Sequence, residues 1–341
     1  MAEQTPPLLG VAYFGNRYPH HARTDLRAIA AAGARFVVHT MSEEDLRWNP
    51  GTIAQLVAIG HEFGLSSWLT PWAVAGIFGG EAASYAVGHY PEAWQQDNAE
   101  RRLPALCPRR PAFRSVMERW LAAAAATGAA VVQWDEPHLA LLHRAGAERW
   151  ACRCEACRET FRERFGAAMP KAWSTQVESF VDDLLAESLA WLVAGASERG
   201  LASSVVLLAD EGASPAAWRM AAALPGVRYF GCTPYWLFSG IPSEEMAGYV
   251  RRWGERVAAA TAGTAAEPIG WVQAFQVPAG REPEVERAVA VLAEAGMRAI
   301  AVWSYLACAP MSALAADDPA ATWAAVVRAF GRIGRAHRRE G

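Results

Sequence analysis

The feature of this sequence that most constrains its fold is a repeated alternation of short apolar runs with longer Ala- and Leu-rich stretches. Runs rich in β-branched and aromatic residues predict strands, and apolar residues at helical spacing predict helices. The predicted strands span 8–14, 35–40, 66–72, 130–136, 203–211, 227–236, 268–277 and 297–306. The predicted helices that follow them span 24–33, 50–63, 112–127, 175–199, 215–224, 243–261, 283–296 and 319–337.

The junctions between helix and strand support this division. The segments AAGARFVV, ATGAAVVQW and EAGMRAIAVW each end a helix with a glycine and then enter an apolar run. Alternating strands and helices imply a parallel sheet, and eight such units predict a (β/α)8 TIM barrel, an α/β fold. The alternative is an open doubly wound sheet, but no G-x-G-x-x-G follows the first strand. We therefore predict a single barrel domain over residues 1–341.

Two connections are much longer than the rest, 73–111 after the third predicted strand and 137–174 after the fourth. Loops at the carboxyl ends of barrel strands build the active sites of this fold. We therefore expect both segments to be insertions that frame a site at the C-terminal face.

Charge and hydropathy indicate which partners and which cellular location to expect. With 32 basic and 35 acidic residues the net charge is −3, so no nucleic-acid partner is expected. The first residues do not read as a signal peptide, and no run of 18 uncharged apolar residues predicts a membrane span. We expect a cytoplasmic protein without membrane partners, and the sequence leaves homo-oligomer formation open.

Acidic, amide and aromatic residues end the predicted strands. The acids are Asp135, Glu136, Asp210 and Glu211, and the predicted substrate-binding residues are Tyr13, His39, Trp72, Tyr235, Trp236, Gln273, Trp303 and Tyr305. Unpaired burial of a carboxylate is costly, so paired acids at apolar strand ends indicate function. The plainer interpretation is that the acids cap helices and the tryptophans cap the core. Because aromatic faces stack on sugar rings and carboxylates bind hydroxyls, we expect a carbohydrate substrate.

Cleavage of a glycosidic bond requires two carboxyl groups, one to protonate the leaving oxygen and one to attack or to activate water. A neighbouring negative charge raises the pKa of the acid, which suits proton donation. Glu136 is the predicted acid/base, and Asp135, Asp210 or Glu211 would supply the second carboxylate.

Four of the six cysteines occupy the two long connections. Cys152, Cys154 and Cys157 form a C-x-C-x2-C segment after the fourth predicted strand, and Cys107 lies in the preceding connection. Neighbouring barrel strands would bring these segments together, and four thiolates would close a tetrahedral, structural Zn2+ site. Free thiols or an incidental disulfide are the alternative.

The stretch from ALCPRRPAFR through the acid pair to CRCEACRETFRERFG resembles the family-42 β-galactosidases of the retaining glycoside hydrolases, over residues 100–165. The resemblance implies that the four cysteines bind structural zinc and that Glu136 is the acid/base. It departs at two positions. The family's Asn before the acid/base is Asp135 here, and its nucleophilic Glu at the end of strand 7 is missing from GWVQAFQVP, which offers Gln273 and Gln276. A glutamine cannot act as an ionised nucleophile.

Three functional hypotheses remain open at this point. The first is a divergent glycosidase, in which Glu136 is the acid while Asp210 or Glu211 activates water, or in which Asp135 is the nucleophile and Glu211 the acid/base. The second is a catalytically inactive, carbohydrate-binding barrel. The third is a sugar isomerase or lyase-type enzyme that uses His39 or His138 with the acids around a metal. We expect the first.

Overall fold

Eight parallel strands close into a barrel in the computed structural model, which describes residues 6–14, 16–141, 148–210 and 214–340. Around the barrel the strands follow the order β1-β10-β9-β8-β7-β6-β3-β2. Their bounds are β1 Leu8–Tyr13, β2 Phe36–Met41, β3 Ser66–Pro71, β6 Val131–Asp135, β7 Ala202–Leu208, β8 Val227–Thr233, β9 Glu267–Gln273 and β10 Ala299–Trp303. The remaining two, β4 Trp94–Gln96 and β5 Arg102–Leu106, form a separate antiparallel pair. The predicted single-domain TIM barrel is confirmed.

Helices surround the barrel and also occupy its long connections. They are α1 Pro19–Ala31, α2 Glu43–Trp48, α3 Thr52–Glu62, α4 Tyr85–His89, α5 Pro111–Ala126, α6 Glu155–Phe165, α7 Thr175–Ser197, α8 Pro215–Ala222, α9 Ser243–Thr261, α10 Glu282–Glu294 and α11 Pro319–Glu340. The sequence did not predict α2, α4 or α6. The first two are too short to show a helical period, and α2 begins at a capping box in which Ser42 and Asp45 bond each other's backbone. Among the described residues, every helix is too short or too polar to cross a lipid bilayer.

Large aromatic side chains fill the barrel interior. The rings of Phe36 and Trp68 stack with centroids 4.1 Å apart, and Trp68 packs on Tyr229 at 4.7 Å. Side chains alternate along each strand, so every second residue enters this interior and its neighbours face the helices. Glycines make room for the rings, since a Cβ at Gly10 would stand 2.2 Å from the ring of Phe36.

The two long connections pack against each other beside the barrel. The backbone N–H of Arg153 donates to the carbonyl of Gln96 (2.8 Å), and that of Asn98 donates to the carbonyl of Trp150 (3.0 Å). The buried carboxylate of Asp97 forms ion pairs to one arginine from each connection, Arg101 at 2.8 Å and Arg149 at 3.1 Å. These contacts join the connections that follow β3 and β6 into one unit beside the C-terminal face.

Substitution of Gly231 in β8 by Ala tests the fit of two neighbouring strands. A Cβ there would stand 2.0 Å from the carbonyl oxygen of Ile269 in β9, a backbone atom that cannot move without disturbing the sheet. We expect Gly231→Ala to lower the free energy of unfolding by about 3 kcal/mol, the upper end of the usual cost of overpacking. Urea unfolding followed by tryptophan fluorescence measures it.

The matched control is Gly248→Ala in α9, where an added Cβ would meet nothing within 4 Å. Alanine is the better helix former, so this change should raise the free energy of unfolding by about 0.5–1 kcal/mol. Equal stability of the two variants would contradict the register of β8 and β9.

Candidate active site at the barrel mouth

Two adjacent carboxyl groups lie at the C-terminal end of β6. Gln133, one inward position below, donates from Nε2 to Oδ1 of Asp135 (3.2 Å). Thr233, which ends β8, donates its hydroxyl to Oε1 of Glu136 (2.6 Å). The strands themselves therefore hold both acids at the barrel mouth.

Glu136 adopts a backbone conformation that its neighbours must enforce. Its φ is +45°, in the left-handed region, which costs a non-glycine residue roughly 1–2 kcal/mol. Its N–H donates to the carbonyl of Val206 in β7 (2.8 Å), and its own carbonyl lies 2.6 Å from Nδ1 of His138. The turn after β6 is thus fixed on both sides of Glu136, and strained residues held in this way are concentrated at functional sites.

The environment favours the protonated form of both acids. Burial raises the pKa of Asp135 well above its usual range, and the charge of Glu136 adds to the shift, while the bond from Gln133 opposes it. Burial also raises the pKa of Glu136, where the hydroxyl of Thr233 opposes the shift and the charge of Glu81 adds to it. The mouth therefore retains a proton at pH values where exposed carboxyls are ionised.

The connection after β3 crosses directly over the acid pair. The N–H of Gly79 donates to the carbonyl of Asp135 (3.1 Å), and a Cβ at Gly79 would stand 3.0 Å from Oδ2 of Asp135 and 3.6 Å from Oε2 of Glu136. Glu81 follows two residues later, and its charge raises the pKa of both acids. The sequence analysis missed Glu81, although the Gly-Gly pair before it in FGGE is a signal of close backbone approach.

Three aromatic rings form a wall beside the acids. The rings of Phe14, Trp72 and Trp303 are nearly parallel, with centroids 5.1–5.8 Å apart and interplanar angles of 7–10°. Trp72 and Trp303 were predicted here. Phe14 was missed because its neighbour Tyr13 was assigned to the mouth, and successive residues of a strand point to opposite sides. The wall continues the aromatic interior of the barrel and ends at the half-buried Trp72.

Tyr235 also lies at the mouth, whereas the side chain of Gln273 forms hydrogen bonds to backbone groups. Loss of hydration, followed by the charges of Asp135 and Glu136, raises the pKa of Tyr235 well above its usual range, so the phenol stays protonated. Gln273 is fully buried and accepts from the N–H groups of Leu237 (3.0 Å) and Phe238 (3.2 Å). It also donates to the carbonyl of Phe275 (3.0 Å).

Four predicted substrate-binding residues do not line the mouth: Tyr13, His39, Trp236 and Tyr305. Each packs outside the barrel interior, because a position at a strand end does not decide which way an alternating side chain points. The hydroxyl of Tyr13 donates to Asp25 (2.7 Å), and Trp236 donates from Nε1 to Glu284 (2.7 Å).

His39 and Tyr305 pack around Tyr13. The ring of His39 meets that of Tyr13 edge-on at 5.9 Å, and burial lowers the pKa of His39 to about 3. The ring of Tyr305 packs edge-on against Trp323 at 5.0 Å. The positions of these residues give no support to a role in substrate contact.

The second acid pair is only partly described. Asp210 follows β7 with its side chain half buried, and its N–H donates to the carbonyl of Leu208 (2.9 Å). Glu211 lies outside the described residues. The structure therefore brings together Asp135, Glu136, Trp72, Trp303 and Tyr235, and adds Glu81 and Phe14 to them.

The four clustered cysteines meet in one buried group. Cys107 follows β5, Cys154 is the N-cap of α6, and Cys152 and Cys157 flank it. All four Sγ atoms lie within 4.8 Å of one another, and those of Cys107 and Cys157 are 3.6 Å apart. Zn–S bonds of about 2.3 Å in a tetrahedron place sulfurs about 3.8 Å apart. The group has the donor type and the spacing to hold a metal ion.

No protein-family model and no curated protein matches this chain. Among solved structures it is similar to the endo-1,4-β-mannanase of Rhizomucor miehei, with a TM-score of 0.62 and 10% identity over 98% of this chain and 97% of that one. For the endo-β-1,4-mannanase of Thermotoga petrophila the TM-score is 0.61 and the identity 10%, over 97% of this chain and 77% of that one. For the GH5_18 protein of Streptomyces cattleya, solved in complex with GlcNAc, the TM-score is 0.59 and the identity 14%, over 99% of this chain and 82% of that one. These similarities establish a shared barrel fold.

Replacement of Asp135 by Asn tests its raised pKa through stability. Because the pKa of Asp135 is higher in the folded than in the unfolded chain, the wild type loses stability as the pH rises between the two values. The Asn side chain does not titrate. The free energy of unfolding of the variant should therefore rise, relative to the wild type, by about 1.4 kcal/mol for each pH unit in that interval. Below about pH 4 the two should be similar.

Urea unfolding at a series of pH values between 4 and 9 measures this difference. Asp182→Asn on the surface of α7 is the control and should change stability little at any pH. A stability difference for Asp135→Asn that is constant over the whole series would show that the pKa of Asp135 is not raised.

Proposed function

We propose that this protein is a glycoside hydrolase-like enzyme that cleaves a glycosidic bond at the barrel mouth with Glu136 as the acid/base. The observation that carries the proposal is a pair of adjacent carboxyl groups at the barrel mouth, buried Asp135 and half-buried Glu136, both with raised pKa values. A carboxylic acid that keeps its proton near neutral pH can donate it to a leaving oxygen.

The two oxygens of Glu136 have different surroundings. Oε1 accepts the hydroxyl of Thr233, and Oε2 faces Gly79, where no side chain occupies the space. Thr233 therefore fixes the orientation of the group and leaves Oε2 as the oxygen that would carry the transferable proton.

Asp135 departs from the Asn of family 42 but could fill the same role. Burial favours the protonated form of its carboxyl group, and a protonated carboxyl group offers a donor and an acceptor, as an Asn amide does. In our proposal Asp135 binds a sugar hydroxyl beside the scissile bond, in the place of the family's Asn.

The aromatic wall supports a carbohydrate as the substrate. Trp72, its half-buried member, is an aromatic ring of the kind that packs on the C–H groups of sugars, and the nearby acids and Tyr235 suit hydroxyl groups. Structures of the similar GH5_18 protein of Streptomyces cattleya contain GlcNAc in one case and Manβ1-4GlcNAc in another.

The histidines proposed for an isomerase or lyase have other contacts. His39 is fully buried beside Tyr13, and Nδ1 of His138 contacts the carbonyl of Glu136. The glycosidase hypothesis therefore has the stronger support.

Substitution of Glu136 by Gln should remove turnover while sugar binding persists, because the amide keeps the shape and lacks the transferable proton. We expect kcat on a panel of α- and β-linked aryl glycosides to fall by about 100-fold or more. Glu92→Gln, an exposed change in the connection after β3, should leave kcat unchanged. Full activity of Glu136→Gln would exclude Glu136 as the acid/base, and sugar binding without turnover by the wild type would identify a carbohydrate-binding barrel.

We further propose that the cysteine cluster binds structural Zn2+. Four buried thiols at this spacing suit a closed tetrahedral site with no open position for substrate. Cys154 is at the N-terminus of α6, and Arg110 lies close enough for the thiolates to raise its pKa, so positive charge is available to offset four thiolates. The ion would fasten the two long connections together.

Removal of the ion should lower stability rather than act directly on chemistry. We expect the wild type to contain one zinc ion per chain, and Cys157→Ser to lose it and unfold at a lower temperature, since structural zinc contributes folding free energy. Cys232→Ala, a buried cysteine outside the cluster, should keep the metal. Elemental analysis and thermal unfolding measure both. Immediate loss of activity on chelation, with circular dichroism unchanged, would contradict the structural role.

A further inference from the structure

The mouth lacks a carboxylate at the position where the family-42 resemblance places the nucleophile. Gln273 ends β9, and its amide is fully engaged with three backbone groups. Gln276 points elsewhere and donates to the carbonyl of Ala313 (3.0 Å). Glycoside cleavage requires a second carboxyl group. Besides Asp135, Asp210 and Glu211, the connection after β3 offers one.

The connection after β3 is held directly over Asp135 and Glu136. Besides the bond from Gly79 to Asp135, the carbonyl of Gly79 accepts from the N–H of Ala73 (3.0 Å), and the carbonyl of Ile77 accepts from the N–H of His138 (2.9 Å). Backbone bonds therefore fix this segment to the residues at and after the end of β6.

Two glycines let the segment enter a space too narrow for other residues. A Cβ at Gly79 would touch Oδ2 of Asp135, and one at Gly80 would stand 2.6 Å from the ring of Trp72. Gly80 also has a φ of +133°, which other residues rarely adopt. The chain thus passes between the acid pair and the aromatic wall, and the next residue is Glu81.

The charge of Glu81 acts on groups from opposite sides of the barrel. It raises the pKa of Asp135 and Glu136 at the end of β6, and it adds to the effect of burial on the thiol of Cys308, which follows β10. In the barrel order β10 lies across from β6. The side chain is exposed to solvent, yet the crowded mouth strips part of its hydration and raises its own pKa. Because Gly79 and Gly80 hold the chain against Asp135 and Trp72, the exposed carboxyl group of Glu81 lies close to the acid pair and has access to water.

We propose that Glu81 is the second carboxylate of the reaction and acts as the general base that activates water, an inference that rests on the proposed glycosidase function. Glu136 donates its proton to the glycosidic oxygen as the bond from that oxygen to the anomeric carbon breaks. A water molecule forms the new bond to the anomeric carbon and gives its proton to the carboxylate of Glu81. Water attacks on the face opposite the leaving group, so the configuration inverts. Proton return from Glu81 to Glu136 through solvent restores the site.

The test compares wild type, Glu81→Gln, Glu136→Gln and the control Glu92→Gln on the panel of α- and β-linked aryl glycosides. We expect Glu81→Gln to lower kcat by about 100-fold or more with KM changed by less than about threefold, because the amide still binds but cannot accept a proton. The pH profile of its residual kcat should lose the decline at low pH, which reports protonation of the base. NMR should show the inverted anomer as the first product of the wild type.

Each other result overturns a defined part of the proposal. If Glu81→Gln keeps wild-type kcat while Glu136→Gln is inactive, the glycosidase function stands and the role of Glu81 is wrong. A first product with retained configuration excludes Glu81 as a base for water. If Glu92→Gln loses as much activity as Glu81→Gln, the loss reflects disturbance of the connection. Absence of turnover by the wild type across the panel removes the proposed function, and with it the role of Glu81.

Discussion

The mouth of this barrel depends on one electrostatic constraint, that two adjacent carboxyl groups share a space too poor in water for both to be charged. The side chain of Asp135 points from β6 into the barrel interior. Burial and the charge of Glu136 raise its pKa. Three features hold these groups together. The turn at Glu136 is strained, Gln133 and Thr233 donate hydrogen bonds to the carboxyl groups, and Gly79 and Gly80 let the connection after β3 lie close to them. A protonated carboxyl group beside an ionisable one is the arrangement that acid catalysis requires.

The order of strands and helices was readable from sequence because each unit carries its own period and most helices that pack on the barrel are long enough to display it. The acid pair could be predicted because paired acids are unusual at the end of an apolar strand, and the cysteine cluster because four of the six cysteines lie in two connections. The direction of a side chain at a strand end was not readable. His39 and Trp72 both lie near the carboxyl ends of strands, yet His39 packs beside Tyr13 on the helix side and Trp72 packs on the aromatic residues of the barrel interior. That difference depends on barrel register, which arises only when the strands pair.

Glu81 was missed for a different physical reason. It lies in a long connection with little regular structure, where neither period nor spacing fixes the position of a residue in space. Its placement depends on the backbone bonds that join Gly79 to Asp135 and Ile77 to His138. The connections after β3 and β6 also share the cysteine cluster and the ion pairs of Asp97, so the folding of the two connections and the geometry of the mouth are coupled.

The hydrogen bonds of the Gln273 side chain limit which residue can replace it. Its oxygen accepts two backbone N–H groups, and its nitrogen donates to the carbonyl of Phe275. A carboxylate at this position would keep the two acceptor contacts but would set a negative oxygen against that carbonyl oxygen, in a place with no exposure to water. A glutamic acid at the end of β9 would therefore have to keep its proton to replace the amide, or the surrounding turn would have to change with it.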